Sequence, residues 1–381
     1  MTWLPGDGRL GGARRRTIAC CWRLALVTGL VALCSGCQLW AWGQNGSGQL
    51  GDSTTVAKSA PIPIGTTADW TAITAGHSHS CALRFGASLW CWGSNSSGQL
   101  GNGSHVGSTI PAPIGDATDW TAVDAGVEHT CGLRTPGALW CWGRNNSGQL
   151  GDGSTNDQSE ITPIGRTTDW ASVSAGDWHT CGIRTDGTLW CWGDNNSGEL
   201  GDGTVVDRLT PTQIGTSTNW MFVAAGGTHT CGIRTDGTLW CWGDNVAGQL
   251  GDGTNTDRLT PKKVGTGTDW RAITAGGLHT CGLRFTGTLW CWGWNNVGQV
   301  GDGSGAPHLT VPTPIDVTHN WSGVTAGDRH TCGIRSTGTL WCWGLNNGAV
   351  PTQIGTAAGW YAVAASPGVN AFHTLALRVK P

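Results

Sequence analysis

Leu39-Trp40-Ala41-Trp42-Gly43 near the start of the chain and His373-Thr374-Leu375-Ala376-Leu377-Arg378 at its end are two halves of one motif. Between them lie whole copies: A-G-x-x-H-[ST]-C-x-[LI]-R, a short turn, then L-W-C-W-G-x-N. They carry Cys81 and Cys91, Cys131 and Cys141, Cys181 and Cys191, Cys231 and Cys241, Cys281 and Cys291, and Cys332 and Cys342. The period is 50 residues, with a one-residue insertion before Trp321. Placed end to start, the two halves complete a seventh unit, in which Leu375 takes the first cysteine position and Ala41 the second. Both cysteines are absent together, so the two positions are expected to face one another. Repeats of this length build solenoids, propellers or arrays. An open solenoid needs capped ends, whereas here each end supplies what the other lacks. The sequence therefore predicts an all-β fold, a seven-bladed β-propeller of four-stranded blades over residues 37–381, closed by pairing of the N- and C-terminal strands. Closure removes the free sheet edges that invite aggregation.

The segment before the repeats differs in kind, and residues 1–36 read as an export signal. Arg14, Arg15, Arg16 and Arg23 precede an apolar run from Leu24 to Cys34, followed by Ser35-Gly36-Cys37. A basic stretch, a short apolar run and small residues at the boundary have that form, and the run falls short of the roughly 20 apolar residues of a membrane span. Its end resembles a bacterial lipoprotein signal, with Cys34 where a leucine usually stands. The resemblance implies lipidation of Cys37 as the first mature residue, with ordinary cleavage and release as the alternative. The expected location is therefore outside the cytoplasm: anchored by lipid at a bacterial outer membrane or in the periplasm, or secreted.

The cysteine count fits this compartment. Of 16 cysteines, Cys20, Cys21, Cys34 and Cys37 fall in or at the export segment, leaving twelve in the repeats. An even, paired set in an exported chain reads as a disulfide framework, and nine intervening residues is not zinc-knuckle spacing. Glycine, at 63 residues, recurs at fixed repeat positions and so marks turns. A net charge of −3 with only four lysines gives no electrostatic footprint for nucleic acid.

Within one copy, Trp170 to Ala175, His179 to Arg184 and Thr188 to Gly193 read as strands, with Thr162 to Gly165 as a brief outer strand. The turn Thr185-Asp186-Gly187 suits a hairpin with glycine in the left-handed position. That register sets Cys181 opposite Cys191 and Ile183 opposite Leu189, and alternation sends Trp190 and Trp192 to the other face. The repeated tryptophans are thus expected to pack between blades. Trp178 and Trp294 lie outside the repeated positions and are candidate contact residues, as is His308.

Gly176-x-x-His179-Thr180-Cys181, followed by Gly187-Thr188-Leu189-Trp190-Cys191-Trp192-Gly193-x-Asn195-x-x-Gly198-x-Leu200-Gly201, resembles the repeat of the regulator of chromosome condensation family. The resemblance implies a seven-bladed propeller with strands from both termini in one blade. Bacterial relatives with this propeller include an inhibitor of β-lactamase. The long inserted element that family members use to release a nucleotide from a small GTPase has no counterpart in these regular repeats.

Seven histidines recur, His79, His129, His179, His229, His279, His330 and His373. Blade geometry keeps equivalent residues apart, so each is expected to make a structural hydrogen bond to a neighbouring blade. The arginines from Arg84 to Arg378 at the hairpins read as solvated partners of nearby acids. The Asp- and Asn-rich loops lack a calcium-loop pattern, and no metal or other cofactor is expected. The segments that vary between copies are 104–109, 154–160, 204–208, 254–258 and 304–308. In the last full copy Leu345-Asn346-Asn347-Gly348 replaces the long loop, which marks a notch read either as a partner site or as a simple deletion. The expected function is a non-enzymatic, monomeric protein-binding scaffold of the cell envelope. A secreted inhibitor of an extracellular enzyme is the alternative, and an enzyme on envelope polysaccharide using His308, Glu160 and Glu128 is a further one.

Overall fold

The structure is a computed structural model and describes residues 36–316, 320–368 and 372–380. The export-signal reading of residues 1–36, including Cys20, Cys21 and Cys34, lies outside the described residues except at Gly36. Every regular element among the described residues is a β-strand, and the strands form seven four-stranded antiparallel sheets. In the third blade, strands a to d run Trp170–Ala175, His179–Arg184, Leu189–Gly193 and Arg208–Gln213, side by side in that order. The a strands of the other blades open at Trp70, Trp120, Trp220, Trp270, Trp321 and Trp360.

Local chemistry fixes the central hairpin. Gly187 turns the chain at φ 78°, and a Cβ there would sit 2.2 Å from the Thr218 carbonyl oxygen, so both backbone conformation and space demand glycine. Asp186 accepts from the Thr188 amide and hydroxyl at 2.9 and 2.7 Å, which leaves Thr188 just outside strand c. The register then sets Cys181 opposite Cys191 and Ile183 opposite Leu189, as expected. The same register joins the cysteines of every complete copy across strands b and c. Cys81 is bridged to Cys91, Cys131 to Cys141 and Cys181 to Cys191. Cys231 is bridged to Cys241, Cys281 to Cys291 and Cys332 to Cys342. In all six disulfides the Cα atoms stand 4.1 Å apart, and all twelve cysteines are fully buried.

The outer strand differs from the sequence expectation. It is Gln158–Pro163, not 162–165, and it pairs with Ala138–Gly143 of the preceding blade. The reason lies at its end, where buried Ile164 donates its amide to the Leu139 carbonyl and Gly165 turns at φ 68°. The chain then leaves the sheet and crosses to the next a strand. A sequence repeat thus begins in one blade and finishes in the next.

Each blade has two apolar faces of different composition. Cys131, Cys141, Leu133 and Leu139 of the second blade pack against Trp170 and Trp192 of the third, with Leu150 between them. Trp170 and Trp192 meet edge to face at 5.7 Å, and Trp192 is fully buried. Burying an aliphatic side chain such as Leu150 stabilises by about 1.5–3 kcal/mol, and the arrangement recurs around the ring. The arginines do more than pair with acids, because the Arg184 guanidinium lies 5.0 Å from the Trp170 ring and 3.9 Å from that of Trp190.

The ring closes where the termini meet. Trp360–Ala365 and His373–Val379 supply strands a and b of the seam blade, and Cys37–Gly43 and Lys58–Pro63 supply c and d. Ala41 stands opposite Leu375 and Leu39 opposite Leu377, all four fully buried.

Candidate binding surface

Strand b begins and strand c ends at the same edge of every blade, so the residues just before the repeated histidine and just after Trp-Gly line one rim of the ring. Main-chain bonds tie these positions together, as in Arg144 N to Glu128 O and Trp294 N to Leu278 O, both 2.9 Å. Two junctions on this rim carry the same pair in opposite order. Arg144 of the second blade lies 4.9 Å from the Trp178 ring of the third, and Arg329 of the sixth blade lies 5.2 Å from the Trp294 ring of the fifth. Arg144 is further held by Glu128 at 2.6 Å, and Arg329 by Asp328 at 3.5 Å. Both tryptophans are half-buried, each with one side against an arginine. His308 is exposed and stands opposite Trp294 in the strand register, so two of the three candidate contact residues come together while Trp178 occupies another junction.

The two arginines escaped the sequence reading, although a signal was present. Arg144 stands where other copies place Gln44, Ser94, Asp194, Asp244, Trp294 and Leu345, and Arg329 where they place Ser78, Glu128, Trp178, Thr228 and Leu278. Glu128 and Glu160, considered above for catalysis, lie on the second blade, Glu128 just before strand b and Glu160 in strand d, and His308 belongs to the fifth. Glu128 is engaged by Arg144 and Glu160 lies exposed on the outer strand, so the three do not form one catalytic cluster.

Inside the rim, His77, Asp177, Gly227, Gly277 and Asp328 each donate their amide to a carbonyl of the next blade, as Asp177 N does to Gly226 O at 3.0 Å. Asp177 is buried and its Oδ1 has no partner. Burial, with a smaller contribution from the charge of Asp328, pushes its carboxyl up to about 7. Two glycines, Gly227 and Gly277, separate these acids along the ring.

The seven histidines behave as expected. His79 Nε2 meets Thr130 Oγ1 at 2.9 Å, and the relation passes on through Thr180, Thr230, Thr280, Thr331 and Thr374 until His373 meets Ser80 at 3.0 Å. The circuit is complete. Six of these hydroxyls also donate to a backbone carbonyl, as Thr180 does to Gln149 at 2.8 Å. A hydroxyl has one proton, so Nε2–H must donate to it, leaving Nδ1 as a bare acceptor. Nδ1 has no partner in any of the seven. The Cε1–Nδ1 edge of the ring lies close against the preceding repeat glycine, where a Cβ on Gly76 would be 2.2 Å from His79 Cε1.

The Asn- and Asp-rich loops are also occupied by their own bonds. Asn195 Nδ2 donates to Asp202 Oδ1, Thr204 O and Val206 O at 3.1–3.2 Å, while Asp202 pairs with Arg208 at 2.6 Å. Among the described residues no group of three or more His, Cys, Asp or Glu side chains converges as a metal site. Cys37, expected as the lipidation site, opens the first strand with its side chain buried beside Leu39 and Leu377.

These features define a closed seven-bladed propeller with a regular interior and a rim that varies from blade to blade. The chain belongs to the regulator of chromosome condensation family. The model described as "Regulator of chromosome condensation (RCC1) repeat" matches residues 38–83, 87–133, 136–183, 186–233, 236–283 and 286–334. Similar solved structures include Prp20p from Saccharomyces cerevisiae, described with its binding properties to Gsp1p and histones. It is 20% identical, with a TM-score of 0.82 over 93% of each chain. Yeast RCC1 (Prp20) bound to Kap60 gives 18% identity and a TM-score of 0.82 over 98% of this chain and 97% of that one. Human WBSCR16 gives 19% and 0.79 over 90% and 98%. At these identities the likeness is one of fold. No curated protein sequence matches the chain.

Proposed function

We propose that this chain is a non-enzymatic protein-binding propeller that acts outside the cytoplasm. The observation that carries the reading is the pair of Trp–Arg stacks, Arg144 on Trp178 and Arg329 on Trp294, set on one rim of a rigid ring. Tryptophan and arginine are the side chains that most often carry binding energy at protein interfaces, and varied loop positions on a stable scaffold are where recognition usually lives. The structures of Prp20p, which concern its binding to Gsp1p, histones and Kap60, supply a precedent for protein partners on this fold.

Export to a bacterial cell envelope is the finer part of the proposal. Six disulfides suit an oxidising compartment, and residues 24–37 have the apolar run and cysteine of a lipoprotein signal. A lipid on Cys37 requires this buried residue to leave the start of its strand. Cleavage and release requires no such change, which favours the released form of a monomeric ring and keeps inhibition of an extracellular enzyme as a second reading.

The test is capture of partners by the oxidised chain, residues 38–381, from envelope and secreted fractions, alongside a double variant carrying Trp178→Ala and Trp294→Ala. One protein recovered near equal stoichiometry, and lost about tenfold or more with the variant, is the expected result. Equal recovery by both proteins moves the contact away from this rim, and recovery of no protein refutes the reading.

A further inference from the structure

Six of the seven junctions between blades are closed by the same loop, and among the described residues the seventh has no such loop. The loop joins strands c and d of one blade and lies over the next. From the second blade, Gln149 O takes hydrogen bonds from Thr180 Oγ1 and Trp192 Nε1 of the third at 2.8 and 3.0 Å. Leu150 fills the space between the two blades, and Gly153 N donates to Leu209 O on the outer strand at 2.9 Å. Equivalent aliphatic side chains, Leu50, Leu100, Leu200, Leu250 and Val300, are all fully buried.

In the sixth blade this loop is replaced by a tight turn, with Asn347 N bonded to Gly344 O at 2.9 Å. Among the described residues, no c–d loop of the sixth blade then lies over the seam blade. The cluster at this junction holds Trp42, Cys332, Ile334, Leu340, Cys342, Trp360 and Ala376 but no counterpart of Leu150. Trp42 is 8% exposed, whereas its equivalents Trp92, Trp142, Trp192, Trp242, Trp292 and Trp343 are at 0%. Among the described residues Trp42 Nε1 has no hydrogen-bond partner, while all of those equivalents except Trp343 donate to a loop carbonyl. Among the described residues, the Thr374 hydroxyl meets His330 but, unlike its six counterparts, donates to no backbone carbonyl.

We propose that this junction is a docking slot for a partner protein's loop that carries an aliphatic side chain between glycines and presents a main-chain carbonyl to Trp42 Nε1. The inference rests on the protein-binding reading and specifies one contact of it. The six sister junctions show what fits: a glycine, a residue giving its carbonyl, a buried leucine or valine, and a second glycine. A second copy of this chain is a poor occupant, because each of its own loops of this kind is already packed in a junction.

The probe is a synthetic peptide of residues 145–156, titrated into the oxidised protein while the Trp42 indole N–H is followed by NMR and assigned with Trp42→Phe. The expected result is a saturable shift of that resonance, with at least about tenfold weaker binding when the peptide carries Leu150→Ala. A protein in which the same loop replaces residues 345–347 is expected to show the shifted resonance without peptide and to bind none. An unmoved Trp42 resonance at millimolar peptide overturns the slot. So does a grafted protein that still captures the natural partner at full strength, and that outcome leaves protein binding itself standing.

Discussion

Glu199 stands where the other loops have glutamine, at Gln49, Gln99, Gln149, Gln249 and Gln299. Its Oε2 accepts the Ser197 amide at 2.8 Å, the bond that Gln149 makes to Ser147 at 2.9 Å. A carboxyl in this place is pushed up to about 8, chiefly by burial and then by Asp194 beside it. The folded value is above the unfolded one, so the stability it contributes is complete below pH ~4.5 and is lost as pH rises toward 8. Glu199→Gln restores the amide of the other copies without that loss. The expected outcome is little change at pH 4 and a gain on the order of 1–3 kcal/mol at pH 9, read from denaturant midpoints at the two pH values. An equal effect at both would assign the change to packing. Asp124 is a second departure of this kind, with burial raising its pKa while it accepts from Thr74 Oγ1 and Ala175 N on the blades to either side.

At the scale of the element, the hairpin is the unit that sequence specifies most directly. Strand alternation, a glycine-bearing turn and two cysteines in register are all local, and the complete copies repeat the register from Cys81 and Cys91 round to Cys332 and Cys342. The seam tests the same register without cysteines, since Ala41 and Leu375 take the positions held elsewhere by bridged pairs. Ala41→Cys together with Leu375→Cys is expected to form a seventh bridge on oxidation. Because it would tie the two ends of the propeller, the chain-entropy contribution is roughly 5 kcal/mol, reduced by the loss of the buried leucine. Mass spectrometry of the intact, non-reduced protein and its Tm against the reduced form are the readouts, and two free thiols in a folded protein would contradict the register. The outer strand was less legible than the hairpin. Its residues are half exposed and its pairing with strand c is interrupted by a bulge, so neither alternation nor a turn signal marks it. The Arg184 sandwich between Trp170 and Trp190 was hidden for another reason, since it depends on side chains from three neighbouring strands meeting at one end of a blade.

Across the whole molecule, ring closure was readable because two incomplete motifs can satisfy each other only in a closed array. The rim was readable only in part. Trp178 and Trp294 stand out as residues absent from the other copies, but their stacking on Arg144 and Arg329 crosses between blades and depends on how each blade is rotated against the next. The histidine circuit is the feature in which every blade takes part, and it makes the ring sensitive to acid as a unit. Burial holds His79, His129, His179, His279 and His373 at about 3 and His229 and His330 at about 4. These folded values lie below the ordinary histidine value of ~6.5, so their contribution is present above that pH and is lost as pH falls toward 3. Each histidine adds about 1.4 kcal/mol per pH unit to the slope over this interval. Asp177 and Glu199, held protonated by burial, subtract up to two protons of their own, which leaves the seven histidines dominant. The denaturant midpoint of the oxidised protein is therefore expected to fall steeply between about pH 7 and pH 5, above the range where ordinary carboxylates titrate. Replacing one member, as in His229→Gln, is expected to reduce the slope by one proton whatever it does to stability at pH 8. A midpoint that stays level across this interval would mean that the imidazoles take up protons within the folded ring, and the neutral Nε2–H circuit would then be wrong.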